Sequence, residues 1–286
     1  MRFLILFLCV LIFSSCSAKK VLKAPERSLN RISAAVENSK GITPDQEYYI
    51  GRAVAAKIVS TYSILEDEEL TKYLNLVGNT VAENSDNPDI PAGYHFGVLD
   101  TKDINAFACP GGVVFVTKGL IDTLESEDEL AAVLAHEIAH INNRDGILSI
   151  EDARKSGVLS AILLEPFRFA ASLTPLHLSS FSGAFLSSVD SVTNTVSEKG
   201  YNKDQEFAAD SDALKFLQRA AYDPSALINY QKKVLEHHNK VESEDLQTHP
   251  GLAERINILK SIAPASEQDD AKVELRKKRF NKALKG

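Results

Sequence analysis

Ser126-Glu127-Asp128-Glu129-Leu130-Ala131-Ala132-Val133-Leu134-Ala135-His136-Glu137-Ile138-Ala139-His140 is the stretch from which the rest of the chain is best read. Ser126 and Glu129 have the spacing of a capping box, and Leu130, Val133, Leu134 and Ile138 recur at helical intervals. The predicted helix carries H-E-x-x-H. Residues four apart on an α-helix lie about 40° apart around the axis and one turn up. His136 and His140 can therefore grip one Zn²⁺ from the same face. Glu137 projects about 60° from His140, close enough to meet a water on that ion. Zinc brings the pKa of such a water toward about 7, and a neighbouring carboxylate can take its proton and deliver it to a leaving amine.

Two histidines leave a zinc short of ligands, since a catalytic site usually has three protein donors and a water. Outward along the chain, Asn202 and Gln205 open another predicted helix, which carries Glu206 and Asp210 on one face. One of these carboxylates can bind the metal while the other orients a ligand imidazole. Acidic i,i+4 pairs are also common on solvated helices, and spacing alone leaves both readings open.

On the N-terminal side the periodicity changes. Thr43-Pro44-Asp45-Gln46 starts a helix predicted to run to about Ser63, and a second spans Asp67 to about Asn84. Tyr94–Leu99, Asn105–Ala108 and Val113–Thr117 then read as three short strands, with Cys109-Pro110-Gly111-Gly112 a tight turn. Pro224 and Pro250 suit first turns of later helices. Ser156 to Ser197 is rich in Leu, Phe, Ala and Ser, and reads either as a pair of core helices or as a hairpin or lid flanking the site.

At 286 residues the chain is long enough for one large domain or two small ones, with an ordinary 44% hydrophobic and 25% charged residues. Its formal net charge of -7 and lack of a long basic stretch argue against nucleic acid as a partner. Arg2, an apolar run from Phe3 to Phe13 and Ser14-Ser15-Cys16-Ser17 describe a secretory signal too short for a membrane span. Cys9 and Cys16 fall in this leader. Only Cys109 lies in the body, so no internal disulfide framework is expected. His95 reads as structural, His237 and His238 as solvated, and His177 carries no assigned role.

These blocks together resemble the zinc metallopeptidase family of HtpX and the CAAX prenyl endopeptidases, within the gluzincins, and in particular its periplasmic BepA/YcaL/LoiP-like branch. The resemblance runs from about Ile42 to Ala263. It is carried by Asn105 to Gly112 with Val116 to Leu120, by His136 to His140, by Glu206 to Asp210 with Ala221 to Pro224, and by Thr248-His249-Pro250 with Arg255 and Ile256. Arg144-Asp145 stands where relatives often have Arg-His, and Cys109 where Leu is common; neither is expected to touch a metal ligand.

The resemblance implies an α+β, zincin-like metallopeptidase, mainly helical, with a small β-sheet whose edge strand borders the active site. It makes His136, His140 and Glu206 the ligands of one Zn²⁺ and Glu137 the general base. Asp210 would orient a ligand, and His249 and Arg255 would assist at the metal. Asn105, Ala106, Phe107 and Ala108 would be the edge along which a polypeptide substrate lies. Ser14-Ser15-Cys16 resembles a lipobox with Phe13 in place of the preferred Leu, implying lipidation at Cys16 and a periplasmic, outer-membrane-anchored protein with outer-membrane protein partners. The expected organisation is a lipoprotein signal peptide over 1–15, a tether over 16–42, the metallopeptidase domain over 43–265 and a charged, solvated C-terminal helix or tail over 266–286. The expected function is a zinc-dependent endopeptidase of the cell envelope acting on misfolded or damaged proteins. The alternative is a chaperone-like or scaffold lipoprotein with a structural zinc, which would need no base such as Glu137.

Overall fold

Helix α1 (Pro44–Thr61) begins on a reciprocal cap: Thr43 Oγ1 accepts from the Gln46 N–H, and Gln46 Oε1 accepts from the Thr43 N–H at 2.9 Å. The computed structural model describes residues 41–155, 186–187, 189–241, 249, 251–265 and 269–285. The leader, Cys16, nearly all of the tether, His177 and most of the 156–197 stretch lie outside the described residues. Helix α2 (Glu68–Ala82) is capped by Asp67 and buries Leu70, Leu74, Val77 and Val81 on one face, the 3–4 spacing of an amphipathic helix.

Three strands follow, β1 (His95–Leu99), β2 (Ala106–Cys109) and β3 (Val113–Thr117), in the order β1-β3-β2. β3 lies parallel to β1 and antiparallel to β2, with Phe107 opposite Phe115. The β2–β3 turn uses Gly111 and Gly112 at φ 76° and 106°. Gly51 of α1 packs so close to this turn that a Cβ would fall 1.6 Å from the Pro110 oxygen. Any side chain at position 51 would therefore push α1 off the turn.

A short helix α3 (Lys118–Thr123) leads to α4 (Glu127–Asn142), which carries the H-E-x-x-H residues. Residues 130–135, Ile138 and Ala139 are buried on every side. A helix apolar all round belongs inside a core, and α4 is packed by α2, β2, β3, α6 (Lys203–Arg219), α7 (Ser225–Val241) and α9 (Asp270–Lys285). The alanines Ala131, Ala132, Ala135 and Ala139 share one buried cluster with Ala209 and Ala213 of α6. Helix α5 (Asp145–Lys155) follows α4, a π-helical turn (Thr195–Lys199) lies beside β2, and α8 (Leu252–Ile262) precedes α9.

Two expectations are corrected. Ser126 caps α4, but Glu129 does not complete the box: its carboxylate accepts instead from the Glu125 N–H at 2.7 Å and pairs with Lys233. The C-terminal segment is not a solvated element throughout, because Asp270–Lys285 is a helix that buries Phe280 and Arg276. Its Arg279 pairs with Glu127, and Arg276 donates to the Ala221 carbonyl at 2.6 Å. Its charges conceal a docking face because it is anchored through arginines.

Candidate metal centre

His136 and His140 lie one turn apart on α4, their Nε2 atoms 3.1 Å from each other. From α6, Glu206 places its two oxygens 3.4 Å from His136 Nε2 and 3.5 Å from His140 Nε2. His249 adds Nδ1 at 3.4 Å from His136 Nε2 and 3.0 Å from each Glu206 oxygen. The donor atoms of all four residues lie within 4.8 Å of one another. Donors held 2.0–2.1 Å from a tetrahedral zinc are about 3.3 Å apart, so the spacing suits one small cation. The sequence reading expected His249 beside the metal; the fold brings it to donor distance.

The far side of each imidazole faces a carboxylate. His136 Nδ1 lies 3.0 Å from Asp210 Oδ1, out of line for a straight hydrogen bond. His140 Nδ1 meets Asp145 Oδ2 at 2.7 Å. With the ring protons drawn to Nδ1, both Nε2 atoms present lone pairs to the same small space. Only a shared cation or a captured proton relieves that opposition. The buried groups here include four carboxylates, Glu137, Asp145, Glu206 and Asp210, against one guanidinium, Arg255. Such an excess of buried negative charge calls for a cation. The donor set therefore fits zinc.

Asp210 is held from three sides. Arg255 donates from Nε to Oδ2 and from Nη2 to Oδ1, each at 2.7 Å, and Gln231 Nε2 donates to Oδ1 at 2.8 Å. Arg255 Nη1 also lies 2.5 Å from Glu206 Oε2. Burial opposes charge on both acids, yet Arg255 and His136 hold Asp210 far below the usual carboxylate range. His249 and His136 do the same for Glu206. Burial likewise opposes a proton on His136, but Asp210 and Glu206 overcome it and push that imidazole up to about 10. In His140 burial prevails over Asp145 and lowers the pKa.

Glu137 is buried, with Oε1 3.9 Å from His249 Nε2. It lines a cavity together with His136, His249, Asn105, Ala106 and Tyr230. β2 is an edge strand with β3 as its partner among the described residues. Its Ala106 end opens on the cavity, whereas Phe107 packs under Tyr62, their ring centroids 5.6 Å apart. Ala108 pairs with Val114 and is also buried.

Two site residues were missed from the sequence. Tyr201, just before the α6 cap, stacks on His140 with ring centroids 4.2 Å apart and planes 30° apart; an aromatic next to a cap gives no signal of this. Asp145 was expected to touch no ligand, and that is corrected here. A residue five beyond His140 on a continuing helix would face about 140° away. Arg144 instead adopts φ 58°, which turns Asp145 back toward the ring. Arg144 is held there by Glu47 Oε2 and the Ile42 carbonyl, each at 2.7 Å.

Two imidazoles from one helix, a carboxylate from a second helix, a neighbouring glutamate and a small mixed sheet define a zincin-like metallopeptidase. The chain belongs to peptidase family M48, whose family model matches residues 68–263. It is 30% identical over 240 residues to the beta-barrel assembly-enhancing protease of Yersinia pestis, an alignment covering 79% of this chain and 47% of that protein. The mitochondrial metalloendopeptidase OMA1 of Schizosaccharomyces pombe is 29% identical, over 69% of this chain and 54% of its own. Metalloprotease LoiP of Escherichia coli is 24% identical, over 68% and 71%. The chain spans about half the length of the beta-barrel assembly-enhancing proteases it matches. Among the described residues no helix is long and apolar enough to cross a membrane.

Proposed function

We propose that this chain is a zinc-dependent endopeptidase of the cell envelope that cuts misfolded or damaged proteins. The observation that carries the reading is the gathering of His136, His140, Glu206 and His249 donors within 4.8 Å, with Glu137 beside them. His136, His140 and Glu206 would hold the ion. Bound zinc lowers the pKa of water and polarises a carbonyl. Glu137 takes a proton from the attacking water as its oxygen bonds to the carbonyl carbon. It then delivers that proton to the amide nitrogen as the C–N bond breaks. Asp210, tied to Arg255, keeps His136 in the tautomer that presents Nε2. At the cavity end of the edge strand the main-chain groups of Asn105 are taken by Thr117, and the Ala106 carbonyl would accept from an extended substrate.

Relatives named for β-barrel assembly support a place in the envelope with outer-membrane proteins as partners. A lipid on Cys16 would provide the anchor there, and Cys16→Ala should then release the protein from membranes. The decisive experiment is metal analysis of the purified chain, with casein cleavage measured with and without chelator. One zinc per chain and chelator-sensitive cleavage are expected; intact casein beside a zinc-loaded protein would overturn the reading. The second reading, a scaffold lipoprotein with a structural zinc, draws on His249, because four protein donors close a site to water. Glu137→Gln separates the two: in a peptidase it binds zinc and leaves casein intact, whereas in a scaffold it behaves as wild type.

A further inference from the structure

His140 is clamped by groups that the metal-binding pattern does not include. Asp145 Oδ2 meets its Nδ1, and Tyr201 covers its ring. Asp145 Oδ1 accepts in turn from Gln205 Nε2 at 3.0 Å. The same Gln205 amide uses Oε1 to accept the Asn202 N–H at 3.1 Å, closing the capping box of α6. The next residue along is Glu206. One buried carboxylate thus ties the helix holding both imidazoles to the first turn of the helix holding the acidic donor.

We infer that Asp145 is a positioning residue for the metal, fixing the His140 tautomer and setting the register of α4 against the start of α6. It differs from Asp210, its counterpart on His136. Asp210 is bonded to a guanidinium as well as an amide, whereas the hydrogen-bond partners of Asp145 among the described residues are His140 and a neutral amide. Its oxygens are therefore divided between the His140 ring and the α6 cap alone, one fixing the tautomer and the other the register. Its place depends on the left-handed Arg144, a conformation that non-glycine residues rarely adopt. The ion pair from Arg144 to Glu47 and its bond to the Ile42 carbonyl hold that turn.

The inference rests on the zinc reading above. The test is zinc affinity by competition with a chromophoric chelator, for the full chain and for Asp145→Ala, Asp145→Asn and Gln205→Ala. Circular dichroism of each metal-free protein verifies folding. Loss of an outer carboxylate typically weakens metal binding by about 10- to 100-fold, and Asp145→Ala should fall in that range. Asp145→Asn keeps an oxygen to accept the Nδ1 proton and should recover part of the loss, with Gln205→Ala weakened less than Asp145→Ala. If Asp145→Ala does not fold, the asparagine and Gln205 variants carry the comparison. Affinities equal to wild type overturn the inference alone. So does an asparagine variant no better than alanine, which would make general fold damage the cause. A wild-type chain that takes up no zinc overturns the functional reading and this inference with it.

Discussion

The two ends of helix α4 each bury charged side chains, and they resolve them in opposite ways. At the N-terminal end, Glu127 is fully buried and accepts from the Tyr73 hydroxyl at 3.1 Å, the Tyr222 hydroxyl at 3.2 Å and Arg279. Every partner is a donor, and the protein satisfies itself. Near the C-terminal end, His136, His140 and Glu206 aim acceptors at one another. The comparison separates structural burial from functional burial: a stabilising network is closed by its own donors, whereas a binding network is left short of one cation.

The largest expected effect that would break this contrast is at the open end. Glu206→Ala should abolish tight zinc binding by metal analysis, and a variant that kept full occupancy would remove the reason for treating the two ends differently. Next in size, Glu137→Gln should lower casein cleavage by about 10²- to 10⁴-fold, the span of general acid–base assistance, with zinc content unchanged. At the closed end, Glu127→Ala should leave zinc content intact and cost about 3 kcal/mol in denaturant unfolding, since each buried group left unmatched costs about 1–3 kcal/mol. Glu127 and His136 lie about 14 Å apart along the helix at 1.5 Å per residue. The stability losses from Glu127→Ala and from zinc removal should therefore add to within about 0.5 kcal/mol.

The smallest effect concerns alkaline pH. Burial first, then the Glu127 charge, pushes the Tyr73 and Tyr222 phenols well above their ordinary value of 10. A folded-state pKa raised above the unfolded one gives stability that is complete below about pH 10 and is lost as pH rises beyond it. In a spectrophotometric titration these two tyrosines should ionise only with unfolding.

The chain order of elements and the three strands were legible because periodicity, caps and turn glycines agree with one another. The His136–His140 pair was legible because its geometry lies within one helix. Glu206 was not fixed by spacing, since an acidic pair on α6 looks the same whether it faces solvent or α4; resemblance supplied it. Asp145 was hidden by a single backbone conformation, the left-handed Arg144, which no side-chain pattern announces. The docking of α9 was hidden because arginines that pair with buried acids look, in sequence, like arginines in water.

The donors are distributed along the chain in a way that orders its assembly. Two imidazoles sit within a single turn, while the third donor arrives only once a helix some seventy residues further along has seated against the first. On the proposed reading, a newly made, still unfolded chain would hold zinc only loosely through His136 and His140. Firm retention would wait for the interior to close, so that a bound ion would certify completed folding and cutting power would be withheld from half-made molecules.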